Sequence, residues 1–365
     1  MTKSKYLTYL FVITIFSMQV LACLVNYLLD ISNIWGDYGE MAKLSLQEKI
    51  VATPANYNER EFQHQIIKNM KNIPDTIVIG SSRGMYLGKE ILKTKSVYNH
   101  CVSGGNLYDY FSILGLYKKY WNKIPDNIIF EISPWVFSDV SPEGRWKENH
   151  VYKLATIDFY QMITNKNQFF VDFLPLKSPM FSFTYMYTNI TKTLQNCFKY
   201  GYKKGLKFND FPVHESIDEK EQADLPDGVI RYPYEVENKN ENRTKKVKDS
   251  SNGAVKYQNC DRMNYLSSLK YNDFKALILW LKKQNVSITF FLAPFSKSQS
   301  EWIYNKNSNP VFLTIEKQLF DLSKKLDIGF IGGYNADKFN LSDDEFSDFM
   351  HGDKKSIYKV WNYRE

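Results

Sequence analysis

Two segments far apart in the chain carry residues able to perform acyl transfer. Ile79-Gly80-Ser81-Ser82-Arg83-Gly84 places adjacent serines on a glycine-flanked turn, and Asp348-Phe349-Met350-His351-Gly352-Asp353 sets a carboxylate three residues before an imidazole. A serine hydroxyl is a weak nucleophile until a base takes its proton, and a histidine base works best when a carboxylate fixes its tautomer. The two segments would supply all three roles. Each also has a plainer explanation by itself: a serine capping a helix, and an Asp-x-x-His on the surface. Of the five histidines, His64, His100, His150 and His214 lack this carboxylate spacing in a C-terminal loop. No second His or Cys stands at ligand spacing, so neither a metal nor another cofactor is expected.

These residues need elements to position them. From Asp75 onward, apolar runs alternate with amphipathic stretches, and the runs at Thr76 to Gly80, Val97 to Val102, Asn127 to Ile132, Ser287 to Leu292 and Ile328 to Ile331 suit parallel strands covered on both faces. Between the second and third runs, Leu107, Tyr110, Phe111, Leu114, Tyr117 and Trp121 recur at helical spacing. The βαβ order predicts an α/β fold. The serine turn then falls at the C-terminal edge of a parallel sheet, where open α/β sheets bind ligands, beside a helix N-terminus whose free N–H groups can stabilise an oxyanion.

The rhythm breaks between residues 141 and 260, first with an aromatic stretch and then with a Lys-, Asn-, Glu- and Asp-rich stretch, so an insertion into one domain is predicted. The aromatic stretch suits a membrane or partner contact or ordinary core packing, and the area of aromatic rings favours the core. The expected organisation is an anchor over residues 1–30, a juxtamembrane segment over 31–72 and an α/β domain over 73–365.

The anchor is expected because Tyr6 to Leu29 contains no charged residue, and about 20 such residues cross a bilayer core as a helix. Lys3 and Lys5 precede the run while Asp30, Asp37 and Glu40 follow it, which by the positive-inside rule leaves the rest of the chain extracytoplasmic. A cleaved signal peptide, or lipidation at Cys23 after Val20-Leu21-Ala22, competes with an uncleaved anchor, but the apolar run continues past both processing points. Cys101, Cys197 and Cys260 would then face an oxidising space, with a Cys197 to Cys260 bridge as one pairing. The 365 residues are 44% hydrophobic, which excludes a disordered or collagen-like chain. The net charge of +7 is spread in mixed-sign clusters, so nucleic acid is not implied.

Together the serine turn and the Asp-x-x-His block resemble the SGNH (GDSL-like) hydrolase superfamily over roughly Ile73 to Trp135 and Ser287 to Trp361. The resemblance implies a three-layer, flavodoxin-like fold with Ser82 as nucleophile, His351 as base and Asp348 as its acid. Asn99-His100-Cys101-Val102-Ser103-Gly104-Gly105 looks like the second family block, implying oxyanion donors at the Ser82 and Gly104 amides. At the third block, Glu131-Ile132-Ser133-Pro134-Trp135 stands where an esterase would carry Gly-x-Asn-Asp. That departure and the anchor look more like the membrane-tethered branch that includes the teichoic acid D-alanylation protein DltD and polysaccharide O-acetylation proteins. The branch implies a serine acyltransferase or esterase acting on a cell-surface glycan or polyol beside a membrane-bound O-acyltransferase (MBOAT). Ser133 and Trp135 are candidate substrate-binding residues, and Arg83 is a candidate for an anionic substrate group, with pairing to a nearby carboxylate as its default role. A stand-alone carbohydrate or lipid esterase and a non-catalytic scaffold of the same fold are the alternatives. Gly80 to Gly84 also fits the Gly-x-Ser-x-Gly elbow of α/β-hydrolases, but that fold needs several strands before its elbow and only about 50 residues separate the expected anchor from this one.

Overall fold

The computed structural model describes residues 3–30, 38–53, 57–139, 144–147, 149–166, 179–202, 215–216, 222–232, 243–257, 266–306 and 310–363. In chain order the helices are α1 (Lys3–Leu29), α2 (Tyr38–Ser45), α3 (Glu59–Asn69), α4 (Lys89–Leu92), α5 (Leu107–Trp121), α6 (His150–Thr164), α7 (Phe183–Tyr200), α8 (Arg243–Tyr257), α9 (Ser268–Lys283), α10 (Lys297–Glu301), α11 (Pro310–Leu326) and α12 (Lys354–Asn362). The strands are β1 (Val51–Ala52), β2 (Thr76–Ile79), β3 (Val97–Asn99), β4 (Asn127–Glu131), β5 (Ala223–Asp224), β6 (Ile230–Arg231), β7 (Ser287–Leu292) and β8 (Gly329–Gly332). Contacts divide the chain into two compact units. One comprises Met1–Glu40, Thr53–Asn58 and Gln168–His214, and the other comprises Met41–Ala52, Glu59–Asn167 and Glu215–Glu365.

The larger unit is built on a five-stranded parallel sheet of order β3-β2-β4-β7-β8, in register at Thr76 with Val97 and Asn127, at Asn127 with Ser287, and at Thr289 with Gly329. Numbered within the sheet, the order is 2-1-3-4-5, a doubly wound arrangement whose switch point lies between β2 and β4. Adjacent side chains of β7 reach opposite layers, as pleating requires. Phe290 meets Phe274 of α9 at 5.6 Å between ring centroids, and Phe291 meets Trp361 of α12 at 5.9 Å. Both faces of the strands are therefore covered, which explains why they read as continuous apolar runs. Helix α5 forms where its periodicity predicts it. Asn106 and Asp109 make a capping box at its start, and Asn122, at φ 50°, ends it in the left-handed region.

Strands β2 and β3 end at Ile79 and Asn99, short of the predicted Gly80 and Val102, although the His100 and Val102 amides still donate to Val78 O and Gly80 O at 2.7 and 3.1 Å. Just beyond β2, the Ser81 amide donates to the Glu131 side chain at 2.7 Å. Residues 59–69, predicted within a juxtamembrane segment, form α3, whose buried Arg60 clasps the buried Asp109 of α5 at 2.7 and 3.0 Å. The described parts of 141–260 are distributed rather than gathered in one excursion. Helix α6 packs on α5 with Phe159 against Phe111, β5 and β6 join β1 in a small antiparallel sheet, and α8 buries Val247 in the core. Part of the aromatic stretch lies outside the described residues, but Phe183 and Tyr187 are 43% and 69% exposed, contrary to the expected core packing. Cys260 also lies outside the described residues, and with it the predicted pairing to Cys197. Residues Ser4–Leu29 of α1 form a helix long and apolar enough to cross a membrane, with a mean hydropathy of 2.1.

Candidate active site

Ser82 opens a short 3₁₀ turn directly after β2, and Ser81 caps that turn by accepting from the Arg83 amide at 3.3 Å. The plainer role foreseen for these serines thus falls to Ser81 and leaves Ser82 available. Its Oγ lies 2.8 Å from His351 Nε2, although the two residues are 269 positions apart in sequence. The other ring nitrogen, Nδ1, is 2.7 Å from Asp348 Oδ2. With Nδ1 protonated toward the carboxylate, Nε2 accepts the serine proton. Asp348 Oδ1 also accepts the Met350 and His351 amides at 2.8 and 2.9 Å, so a single side chain shapes the loop and aligns the ring. Burial pushes the Asp348 carboxyl up, but the His351 bond and charge and the two amides outweigh it and hold the group below the usual carboxylate value. The loop is closed at its root, where Phe346 bridges Gly352 and the Ser347 amide donates to His351 O at 2.8 Å.

Beneath this relay lies a closed polar floor at the switch point. Glu131, fully buried at the end of β4, accepts the Ser81 amide through Oε2 and the Ser133 hydroxyl through Oε1 at 2.6 Å. Ser81 and Ser133 hydroxyls are 3.0 Å apart. Arg83 is 2% exposed, donates to Met350 O at 3.3 Å and to Ala293 O, and sits 4.1 Å over the Phe295 ring. Of the residues considered for substrate binding, Arg83 and Ser133 are thus buried and held by protein groups. Their polar groups are turned inward, where Arg83 ties the serine turn to the histidine loop.

The loop after β3 is also held in place. Gly104 has φ 63°, a left-handed conformation that strains other residues, and a Cβ at Gly105 would fall 2.2 Å from Gly80 O, so this loop presses against the serine turn. Trp135, half-buried, donates its indole N–H to Gly105 O at 3.1 Å, which makes it a clamp on this loop. On the other side, Glu59 accepts the Ser103 hydroxyl at 2.6 Å, while Arg145 donates to Ser103 O at 2.7 Å. Burial raises the Glu59 carboxyl above its usual value, partly offset by the Ser103 bonds. Among the described residues, no internal hydrogen bond occupies the amides of Ser82 and Gly104.

Ser82, Asp348 and His351 open into a cleft of about 280 Å³, also lined by Tyr86, Tyr232, Lys246, Ser347 and Gly352. The Tyr86 and Tyr232 rings meet edge to face at 5.9 Å. Sequence reasoning missed Glu131, Glu59, Tyr86, Tyr232 and Lys246. The one available signal was a glutamate ending an otherwise apolar strand run. His100 is excluded as a second base. It is fully buried between Gln63 and Tyr117, at 2.6 and 2.8 Å, and burial lowers its pKa to about 3. No group of three or more His, Cys, Asp or Glu residues suited to a metal ion occurs among the described residues. Comparison with protein-family models, curated proteins and solved structures gave no significant match.

Proposed function

We propose that the protein is a membrane-anchored, extracytoplasmic serine acyltransferase of the SGNH type that esterifies hydroxyl groups of a cell-surface glycan or polyol. The observation that carries this reading is the unbroken relay from Ser82 Oγ through His351 to Asp348, at 2.8 and 2.7 Å, opening into a cleft at the sheet's switch point. His351 Nε2 takes the Ser82 proton as Oγ attacks the carbonyl carbon of the acyl donor. The Ser82 and Gly104 amides hold the oxyanion, and His351 returns the proton to the leaving group, producing acyl-Ser82. An acceptor hydroxyl then gives its proton to His351 and attacks the acyl carbon. The bond to Ser82 Oγ breaks, and His351 returns the proton to Oγ, releasing the product ester and restoring Ser82. Tyr86 and Tyr232 give the acceptor an aromatic wall, and Lys246 adds a cation. The N-terminal helix and the resemblance to the DltD branch support a membrane setting with an MBOAT partner delivering the acyl group.

Hydrolysis is the second reading, favoured by the 30% exposure of the His351 side chain, which gives water a route to the acyl-enzyme. The test is to measure base-labile acyl groups on envelope glycan from cells lacking the protein and from cells complemented with wild type or Ser82→Ala. Transfer predicts loss in the deletion, recovery with wild type and none with Ser82→Ala. Unchanged acylation in every strain, together with efficient ester hydrolysis by the purified protein, would establish the esterase instead.

A further inference from the structure

Helices α1 and α7 belong to the same compact unit, and the packing between them is inverted relative to a water-soluble helix pair. Polar groups fill the seam. Asn26 is fully buried, donates to Met180 O and Ser182 O at 2.9 and 3.0 Å, and accepts from the fully buried Asn189 at 3.2 Å. Tyr185 donates to the buried Asp30 at 2.7 Å, and Gln19 donates to Phe181 O at 3.0 Å. The outer face of α7 carries an apolar stripe, flanked by the exposed Thr184, Lys192 and Gln195. Phe183, Tyr187, Ile190, Leu194 and Phe198 recur at helical spacing, all exposed, with Phe198 at 89%. Lys192 is the sole charged residue from Phe183 to Phe198. The Thr188 and Thr191 hydroxyls donate to Thr184 O and Tyr187 O, so they need no water.

In water this arrangement is unfavourable, because an aromatic stripe is left in contact with solvent. In hydrocarbon it is the stable one: polar side chains satisfy each other inside the pair, and apolar ones face lipid. Depth points the same way. Gln19 lies ten residues before Leu29, about 15 Å along the helix axis, which is near the middle of a hydrocarbon core about 30 Å thick. A hydrogen bond from Gln19 to Phe181 therefore draws the start of α7 into the bilayer whenever α1 spans it. The exposed surface of α7 is also continuous in character with that of α1, where Phe11 and Phe16 are 66% and 69% exposed.

We infer that α7 is a second membrane-inserted helix whose Phe183 to Phe198 stripe contacts lipid acyl chains. The inference rests on the anchor reading of α1 and on nothing in the active site.

The test uses the full-length protein alone in phosphatidylglycerol and phosphatidylethanolamine vesicles, with nitroxide labels at Leu194→Cys, Phe16→Cys or Tyr358→Cys after the native cysteines are replaced by serine. Collisions with oxygen and with a water-soluble nickel chelate are compared. The expected oxygen-to-nickel ratio is several-fold higher at positions 194 and 16 than at the solvent control, position 358. A solvent-like ratio at 194 with a lipid-like ratio at 16 overturns the inference and leaves the anchor standing. Solvent-like ratios at both overturn the anchor as well. Shielding of position 194 from both reagents means that protein covers the stripe, which also overturns a lipid contact. Amide exchange of the unsubstituted chain in the same vesicles provides a label-free check. Residues 183–198 are expected to exchange far more slowly than α12, and exchange as fast as α12 would contradict insertion.

Discussion

Ser82 faces a cleft and lies within hydrogen-bond reach of His351, whereas Ser81, one residue earlier, is fully buried against Ser133 and the Arg83 amide. The same contrast extends outward from each serine. The outer relay consists of a serine, a base and a carboxylate, with His351 and Asp348 side chains 30% and 33% exposed. The inner floor uses a similar set, Ser81, Ser133, Arg83 and Glu131, all buried. Residue type therefore does not separate a reactive set from a scaffolding one. The floor groups bond one another and support the turn, while the relay keeps one hydroxyl whose proton can leave and whose oxygen can meet a substrate. Within the floor, the Glu131 carboxyl grips the Ser81 amide from below.

The largest expected effect breaks the relay. Ser82→Ala or His351→Ala should lower acyl transfer by about 10⁴-fold or more, as loss of one member of a cooperating pair does, and Asp348→Asn by about 10⁴-fold through the wrong histidine tautomer. Ser81→Ala should retain most activity. Steady-state rates on an activated ester with each purified variant check this, and equal losses for Ser81→Ala and Ser82→Ala would erase the distinction between relay and floor.

The next effect falls on stability. Glu131→Ala removes the acceptor of both the Ser81 amide and the Ser133 hydroxyl, so it should cost about 1–3 kcal/mol, read as a lower urea midpoint, while His351→Ala leaves the midpoint nearly unchanged. A relay variant less stable than the floor variant would reverse the assignment.

How much of this was legible in the sequence follows from locality. Ser82, Asp348 and His351 stand in short motifs whose chemistry is visible residue by residue, and apolar runs marked the five sheet strands. Glu131 was not legible as a support, because its role depends on β4 pairing beside β2 in the sheet. The partners of Arg83 were not legible because nothing local predicts that Met350 O and Ala293 O, more than 200 residues away, and not a nearby carboxylate, take its donors. Tyr232 and Lys246 reach the cleft from a polar stretch that composition alone assigns to the surface. The aromatic stretch that enters α7 was visible, but not that Phe183 and Tyr187 are exposed, since composition reads the same for a buried and an exposed stripe.

The smallest expected effect separates the two histidines of the family-like blocks. Burial holds His100 neutral down to about pH 3, while in the unfolded chain it binds a proton near pH 6.5. The unfolded state then carries more protons between these values. Stability is therefore fully present above pH 6.5 and falls by about 1.4 kcal/mol per pH unit as the pH drops below it. His100→Gln should flatten that part of the wild-type slope in urea midpoints taken at pH 7, 6 and 5, and an unchanged slope would show that His100 does not drive it.

The most direct measurement is active-site labelling of the full-length protein with a fluorophosphonate, which phosphonylates only an activated serine. Peptide mass spectrometry should place the added mass on Ser82 in the wild type, with labelling abolished in Ser82→Ala and strongly slowed in His351→Ala. Labelling on Ser81 or another residue, or a rate at Ser82 unaffected by His351→Ala, would contradict a Ser82–His351–Asp348 relay as the catalytic centre.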